Sequence, residues 1–234
     1  MTTTISPKQA AAEAALSYVE DGMILGLGTG STAKLFIDGL AAKQREGVQV
    51  KGIPTSEASR QQAEALGIEL IEPDETTVID IAIDGADEID RNGHLIKGGG
   101  GALLREKIID GAANRFIVIA DASKDVGTLG AFPLPIEIDR FGWALTVSAI
   151  RGVLAVHGFT NIDLQLRQGA PGEGTFLSDG GHYVLDAPLG RIDDPAGLDT
   201  ALTMVPGVVT TGLFVGLAHT LIIGTERGAE IRDV

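Results

Sequence analysis

Met23-Ile24-Leu25-Gly26-Leu27-Gly28-Thr29-Gly30-Ser31-Thr32 runs from a short apolar strand through a glycine-rich turn into a helix. The helix shows in the core stripe Ala33, Phe36, Ile37 and Leu40, which repeats at helical spacing. Upstream, Ser6-Pro7-Lys8-Gln9 reads as an N-cap, a proline at the first helical position and a capping-box glutamine. Ala11, Ala15, Tyr18 and Val19 continue that helix, and Asp21-Gly22 stops it. Downstream come a strand at 48–53, a helix at 57–66 ended by Gly67, and strands at 68–71, 78–83 and 116–120. Alternation of this kind predicts an α/β domain, a parallel sheet covered by helices on both faces.

Beyond residue 120 the pattern changes, and Pro133-Leu134-Pro135 marks a boundary. A strand at 135–139, a helix at 143–156, strands at 163–167 and 182–186, a helix at 195–204 and a strand at 207–211 follow the β-α-β-β-α-β order of a ferredoxin-like α+β unit. Asp194 caps the second of these helices, Pro195 starts it, and Leu198, Ala201, Leu202 and Val205 mark its buried side. The apolar, glycine-rich segment 213–224 is expected to return to the first sheet as a strand or a pair. The expected domains are therefore 1–132 with 210–234, and 133–209.

Composition narrows the function. The chain has 234 residues, 44% of them hydrophobic and 21% charged, an ordinary globular balance. It has no cysteine, which excludes disulfides, thiolate catalysis and Cys-based zinc sites. His94, His157, His182 and His219 have no metal-ligand spacing. The net charge of −14 makes nucleic acid and anionic membranes poor partners, and any phosphate site must rest on local donors. The sequence shows no secretory signal and no apolar run near the roughly 20 residues of a membrane helix, so a cytoplasmic location is expected.

Four stretches can carry chemistry. The turn at Gly28–Thr32 exposes backbone N–H groups at a helix N-terminus, and Thr29, Ser31 and Thr32 add hydroxyl donors suited to phosphate oxygens. Gly28-x-Gly30-x-x-Ala33 also fits a loose dinucleotide fingerprint, but the next strand ends in Pro54-Thr55-Ser56 without the acidic residue that holds a ribose diol. A capped structural turn fits the same residues. In Asp84-Gly85-Ala86-Asp87-Glu88 the carboxylates of Asp84 and Asp87 fall at the C-terminal end of a strand, placed to accept sugar hydroxyls or move protons, although a solvated acidic loop would look alike.

The third stretch is Lys97-Gly98-Gly99-Gly100-Gly101, which opens a helix carrying Glu106. Four glycines in a row are entropically costly, which amides aimed at a developing oxyanion beside Lys97 would explain. Glu106, one turn in, can serve as a base for a carbon-bound proton, or be a surface glutamate paired with a nearby cation. In the fourth stretch, Asp121-Ala122-Ser123-Lys124, Lys124 can reach an anion from the same rim or be a solvated lysine of a capping turn. Lys8 is the weakest candidate on sequence grounds.

With these residues in view, the chain resembles the type A ribose-5-phosphate isomerase family. The matching segments are Gly28–Ala33, Asp84–Ile89, Lys97–Gly100 with Arg105-Glu106-Lys107, Ala120–Lys124, Phe132–Pro135, Arg167-Gln168-Gly169 and Pro206–Thr210, in family order over nearly the whole chain. The sequence departs from the family pattern after His219, where an Ala-Asp pair is missing before Ile222-Ile223-Gly224-Thr225. The resemblance implies a Rossmann-like parallel-sheet domain with a smaller ferredoxin-like domain. It implies interconversion of ribose 5-phosphate and ribulose 5-phosphate through an enediolate, in the non-oxidative pentose phosphate pathway.

It also implies roles. Glu106 would move the proton between C1 and C2, and Asp84, Asp87 and Lys97 would assist ring opening and handle the sugar oxygens. Thr29, Gly30, Ser31, Thr32, Gly85, Ala86, Gly98, Gly99 and Gly100 would line the site, with Lys124 and Lys8 at the phosphate. No metal or organic cofactor is implied, and the expected assembly is a homodimer or tetramer. Amino-sugar phosphate deaminases, coenzyme A transferases and non-catalytic phosphosugar sensors are the competing readings.

Overall fold

A computed structural model of the chain describes residues 5–234. In chain order the elements are α1 (Pro7–Ala15), β1 (Ile24–Leu27), α2 (Ser31–Arg45), β2 (Lys51–Pro54), α3 (Glu57–Ala65), β3 (Glu69–Leu70), β4 (Ile79–Asp84), β5 (Glu88–Ile89), β6 (Leu95–Ile96), α4 (Leu103–Ala112) and β7 (Ala113–Asp121). There follow β8 (Leu134–Ile138), α5 (Trp143–Val156), β9 (Gln165–Leu166), β10 (Tyr183–Ala187), α6 (Pro195–Thr203), β11 (Val208–Thr211), β12 (Leu213–Phe214), β13 (Thr220–Thr225) and β14 (Gly228–Asp233). The described residues form two compact units, one of residues 5–86, 105–125 and 217–234, the other of residues 87–104 and 126–216.

The first unit is built on a seven-stranded sheet in the order β14-β13-β7-β4-β1-β2-β3, parallel except for the antiparallel edge strand β14. Alternate residues of β1 face opposite sides, so Leu25 and Leu27 join Phe36, Ile37 and Leu40 of α2 in one core. Gly26 faces the other way, where a Cβ would lie 2.7 Å from Ile109 of α4. Both faces of the central strand are thus covered, which is why its sequence is apolar throughout. Ser6 caps α1 as its sequence predicts, accepting from Gln9 N–H. The helix ends at Ala15, and residues 16–18 tighten into a 3-10 turn before the Asp21-Gly22 stop.

In the second unit, β8, β9, β10 and β11 form an antiparallel sheet in the order β11-β8-β10-β9. With α5 and α6 this is the β-α-β-β-α-β arrangement read from the sequence. Its core joins Ile136 and Ile138 of β8 to Val147, Ile150 and Leu154 of α5 and Leu198 and Leu202 of α6. Each such fully buried side chain contributes about 1.5–3 kcal/mol by leaving water.

The structure departs from expectation near the C-terminus. Of the segment 213–224, only the part from Thr220 onward returns to the first sheet, in β13; Leu213-Phe214 pairs instead with β6 in a three-stranded sheet of order β12-β6-β5. That pairing places 87–104 with the second unit rather than the first. The partner of β13 at the edge is β14, a strand absent from the sequence reading. The segment that departs from the family pattern, just after His219, opens β13 itself.

Candidate active site

In the first unit the chain leaves β1 toward β2 and β3 on one side, then crosses to β4 on the other. The carboxyl ends of β1 and β4 therefore flank a topological switch point, the place where open α/β sheets bind ligands. Gly28-Thr29 follows one strand and Asp84 ends the other. Asp84 is fully buried, and its Oδ1 accepts N–H bonds from Thr29 (2.8 Å) and Gly85 (2.6 Å). Gly28 is needed for this approach, because a Cβ there would sit 2.3 Å from the Asp84 carboxyl carbon.

Thr29 does something the sequence did not reveal. Its hydroxyl donates to Ser56 Oγ (2.7 Å), Ser56 donates to Ser59 Oγ (3.0 Å), and Ser59 donates to the carbonyl of Gly28 (2.6 Å). The Thr29 proton is spent inside this chain of hydroxyls, which stiffens the turn. Ser31 and Thr32 open α2, whose N-terminus has no side-chain cap, so its first amides are available to an anion. Lys8 Nζ donates to Ser31 Oγ at 2.9 Å, which brings the weakest sequence candidate to this helix end.

A cavity of about 750 Å³ in the same unit is lined by Ser6, Lys8, Asp121, Ser123, Thr225 and Arg227, among others. Lys124 closes the 3-10 turn that follows β7. Burial pushes the Asp121 carboxyl up, but the Ser123 hydroxyl and amide, with Lys8 and Lys124 nearby, outweigh it and hold the group below its usual range. Both lysines therefore act on one neighbourhood.

Glu106 lies in the first turn of α4 and is only 4% exposed, so it is not a surface residue. Asp110, one turn further along, is buried as well; the sequence reading missed it, although the i, i+4 spacing was there to see.

In the second unit, Lys97 is 2% exposed, an uncommon burial for a lysine. Its ammonium lies 5.4 Å from the centre of the Phe214 ring and its N–H donates to the Gly212 carbonyl (2.9 Å). Asp87 Oδ2 accepts the N–H of Gly99 at 2.7 Å. The turn is closed by Gly101 N–H donating to the Gly98 carbonyl (2.9 Å), with Gly99 and Gly100 at the surface. Arg167, which the sequence reading quoted without a role, donates to the carbonyls of Gly98 and Gly99. Among the described residues no group of three His, Cys, Asp or Glu is arranged to hold a metal ion, and no helix is long and apolar enough to cross a membrane.

Residues 51–228 match the family model described as ribose 5-phosphate isomerase A, or phosphoriboisomerase A. Ribose-5-phosphate isomerase A of Parvibaculum lavamentivorans is 50% identical over 224 residues, 96% of each chain. The solved ribose 5-phosphate isomerase A of Methanocaldococcus jannaschii is 37% identical, with a TM-score of 0.89 over 97% of this chain and 98% of that one. A D-ribose-5-phosphate isomerase solved in complex with phospho-erythronic acid is 38% identical, with a TM-score of 0.90 over the full length of both chains. A family model spanning most of the chain, half-identical relatives and full-length structural matches agree: this protein belongs to the ribose 5-phosphate isomerase A family.

Proposed function

We propose that the protein interconverts D-ribose 5-phosphate and D-ribulose 5-phosphate through an enediolate, as a step of non-oxidative pentose phosphate metabolism in the cytoplasm. The observation that carries this reading is Glu106: a carboxylate nearly excluded from water, in the first turn of a helix that opens one residue after four glycines.

In the open-chain aldose, Glu106 removes the C2 proton. The C2–H electron pair forms the C1–C2 double bond, and the carbonyl π electrons move onto O1. Return of that proton to C1, with the O2 hydroxyl proton passing to O1 as the C2 carbonyl forms, gives the ketose. Lys97 and the amide of Gly100 stabilise the oxygen that becomes negative, while the Gly99 amide holds Asp87. Asp84 and Asp87 move the hydroxyl protons during ring opening. Gly85 and Ala86 follow Asp84 at the strand end, and Gly30 and Gly98 shape the turns.

The phosphate falls to Ser31, Thr32, the first amides of α2, Lys8 and Lys124. Thr29 supports them through the serine chain rather than by its own proton. Phosphate binding fixes the reacting carbons through remote contacts. Self-association belongs to the same proposal, and Phe141, Leu145 and Val156, on and beside α5, are 92%, 78% and 87% exposed.

The test is turnover of ribose 5-phosphate by EDTA-treated protein, alongside Glu106→Gln. Wild-type turnover with a loss of about 10²–10⁴ in the variant is expected from general-base magnitudes. An unchanged rate in Glu106→Gln would remove the base, and no wild-type turnover would remove the isomerase.

A further inference from the structure

Arg167 stands just beyond β9, and its side chain is 16% exposed. Its Nε and Nη2 bind the two carboxylate oxygens of Asp186 in β10, at 3.0 and 2.5 Å. That bidentate pair holds the planar guanidinium in one orientation. Nη1 then donates to the carbonyls of Gly98 (2.8 Å) and Gly99 (3.2 Å), 69 and 68 residues earlier in the chain. The guanidinium also lies 5.8 Å from the centre of the Phe176 ring. Phe176 fills the space beside Gly101, where a Cβ would stand 2.3 Å from the ring.

A trans peptide is planar, so its carbonyl and the following N–H point in opposite directions. Holding the Gly98 carbonyl therefore aims the Gly99 N–H away from Arg167, and that N–H is the one that donates to Asp87 Oδ2. Holding the Gly99 carbonyl fixes the Gly100 N–H in the same way. Two successive peptides clamped by one guanidinium present two N–H groups away from it. An Arg–Asp pair made only to bridge β9 and β10 would have no need to reach either carbonyl.

We propose that Arg167 is a positioning residue, which sets the Gly99 amide on Asp87 and the Gly100 amide on the oxygen that becomes negative during isomerisation. The assignment rests on the isomerase reading above. Lysine in its place keeps the charge but, as a single ammonium, cannot hold Asp186 in bidentate fashion and both carbonyls together. The amides then lose their aim while the phosphate contacts of the first unit stay as they are.

The experiment compares wild type, Arg167→Lys and Asp186→Asn by steady-state kinetics with ribose 5-phosphate. Inhibition by 4-phospho-D-erythronate, whose carboxylate imitates the enediolate, is measured beside inhibition by inorganic phosphate. Arg167→Lys is expected to lose kcat by about 10–100-fold, the scale of a misplaced oxyanion donor, with KM and phosphate inhibition within about twofold. Affinity for phospho-erythronate should fall with kcat, and Asp186→Asn should show a smaller change of the same pattern. Arg167→Ala, if it folds, should regain part of its kcat with millimolar methylguanidinium. Wild-type kcat in Arg167→Lys would overturn the proposal, as would equal loss of phosphate and phospho-erythronate affinity. Absence of wild-type turnover would instead overturn the isomerase reading.

Discussion

Asp84 separates a structural from a chemical contribution, because its Oδ1 holds two backbone donors while the group itself has no access to water. In Asp84→Ala the N–H groups of Thr29 and Gly85 lose that acceptor. An orphaned buried donor costs about 1–3 kcal/mol, so the pair predicts a loss of about 2–6 kcal/mol. Asn keeps one acceptor oxygen in the same place and gives up only the charge-assisted part of each bond, about 1 kcal/mol, or about 2 kcal/mol for both. Urea unfolding followed by far-ultraviolet circular dichroism measures the two losses. Amide exchange at Thr29 and Gly85 reports the bonds themselves: protection should collapse in the alanine variant and survive in the asparagine one. Turnover should fall in both, by about 10² or more in Asp84→Asn, because an amide cannot accept a proton. An alanine variant that loses under about 1 kcal/mol, or an asparagine variant with full activity, would refute the reasoning.

Two further outcomes follow from the same turn and its surroundings. Gly28→Ala places a methyl 2.3 Å from the Asp84 carboxyl and 2.5 Å from its Cα, so it should cost about 1–3 kcal/mol in thermal or urea unfolding and reduce turnover together with stability. Lys8→Met should raise the Asp121 carboxyl pKa in a carbon-13 titration and raise KM for ribose 5-phosphate, since Lys8 is among the groups that hold that carboxyl down. The sign is fixed: a depressed folded pKa stabilises above the unfolded value of about 3.9, and this contribution is lost as pH falls through the folded value. In Lys8→Met the contribution should be smaller and its loss complete at a higher pH, while the onset near the unfolded value stays where it is.

The parts of the fold that were legible are those set by neighbours in sequence. Ser6 and Pro7 announce α1, Asp194 and Pro195 announce α6, and the run from 23 to 32 gives β1, its turn and α2. The strand β14 was not legible because it is a solvent-facing edge: Gly228-Ala229-Glu230-Ile231-Arg232-Asp233 is mostly exposed and carries no apolar run. β5, β6 and β12 are two residues each, too short for any period to show. The site divides along the same line. Glu106 could be suspected from the glycines before it, but whether it was a surface residue was a question of burial, which depends on distant packing. The Ser56–Ser59 chain reaches back about 30 residues to Gly28 and Thr29, and Arg167 reaches back almost 70. Neither has a local signature, since a hydroxyl or a guanidinium looks the same in a sequence whether it faces solvent or a carbonyl.

The long-range field of this chain opposes its proposed substrate, since a net charge of −14 meets a dianionic phosphate. At physiological ionic strength that field is screened beyond about 8 Å, while groups in contact are hardly screened at all. What decides phosphate binding is therefore the inner few ångströms, where the first unit puts Lys8 on Ser31, Lys8 and Lys124 near Asp121, and the uncapped amides of α2. Asp121 belongs to that arrangement as much as the cations do. Its carboxylate gives the two lysines a counter-charge. In the proposed function, a phosphate arriving at the uncapped N-terminus of α2 would take over that counter-charge. On this account the acidic surface governs solubility and the rate of encounter, while three or four local donors govern affinity.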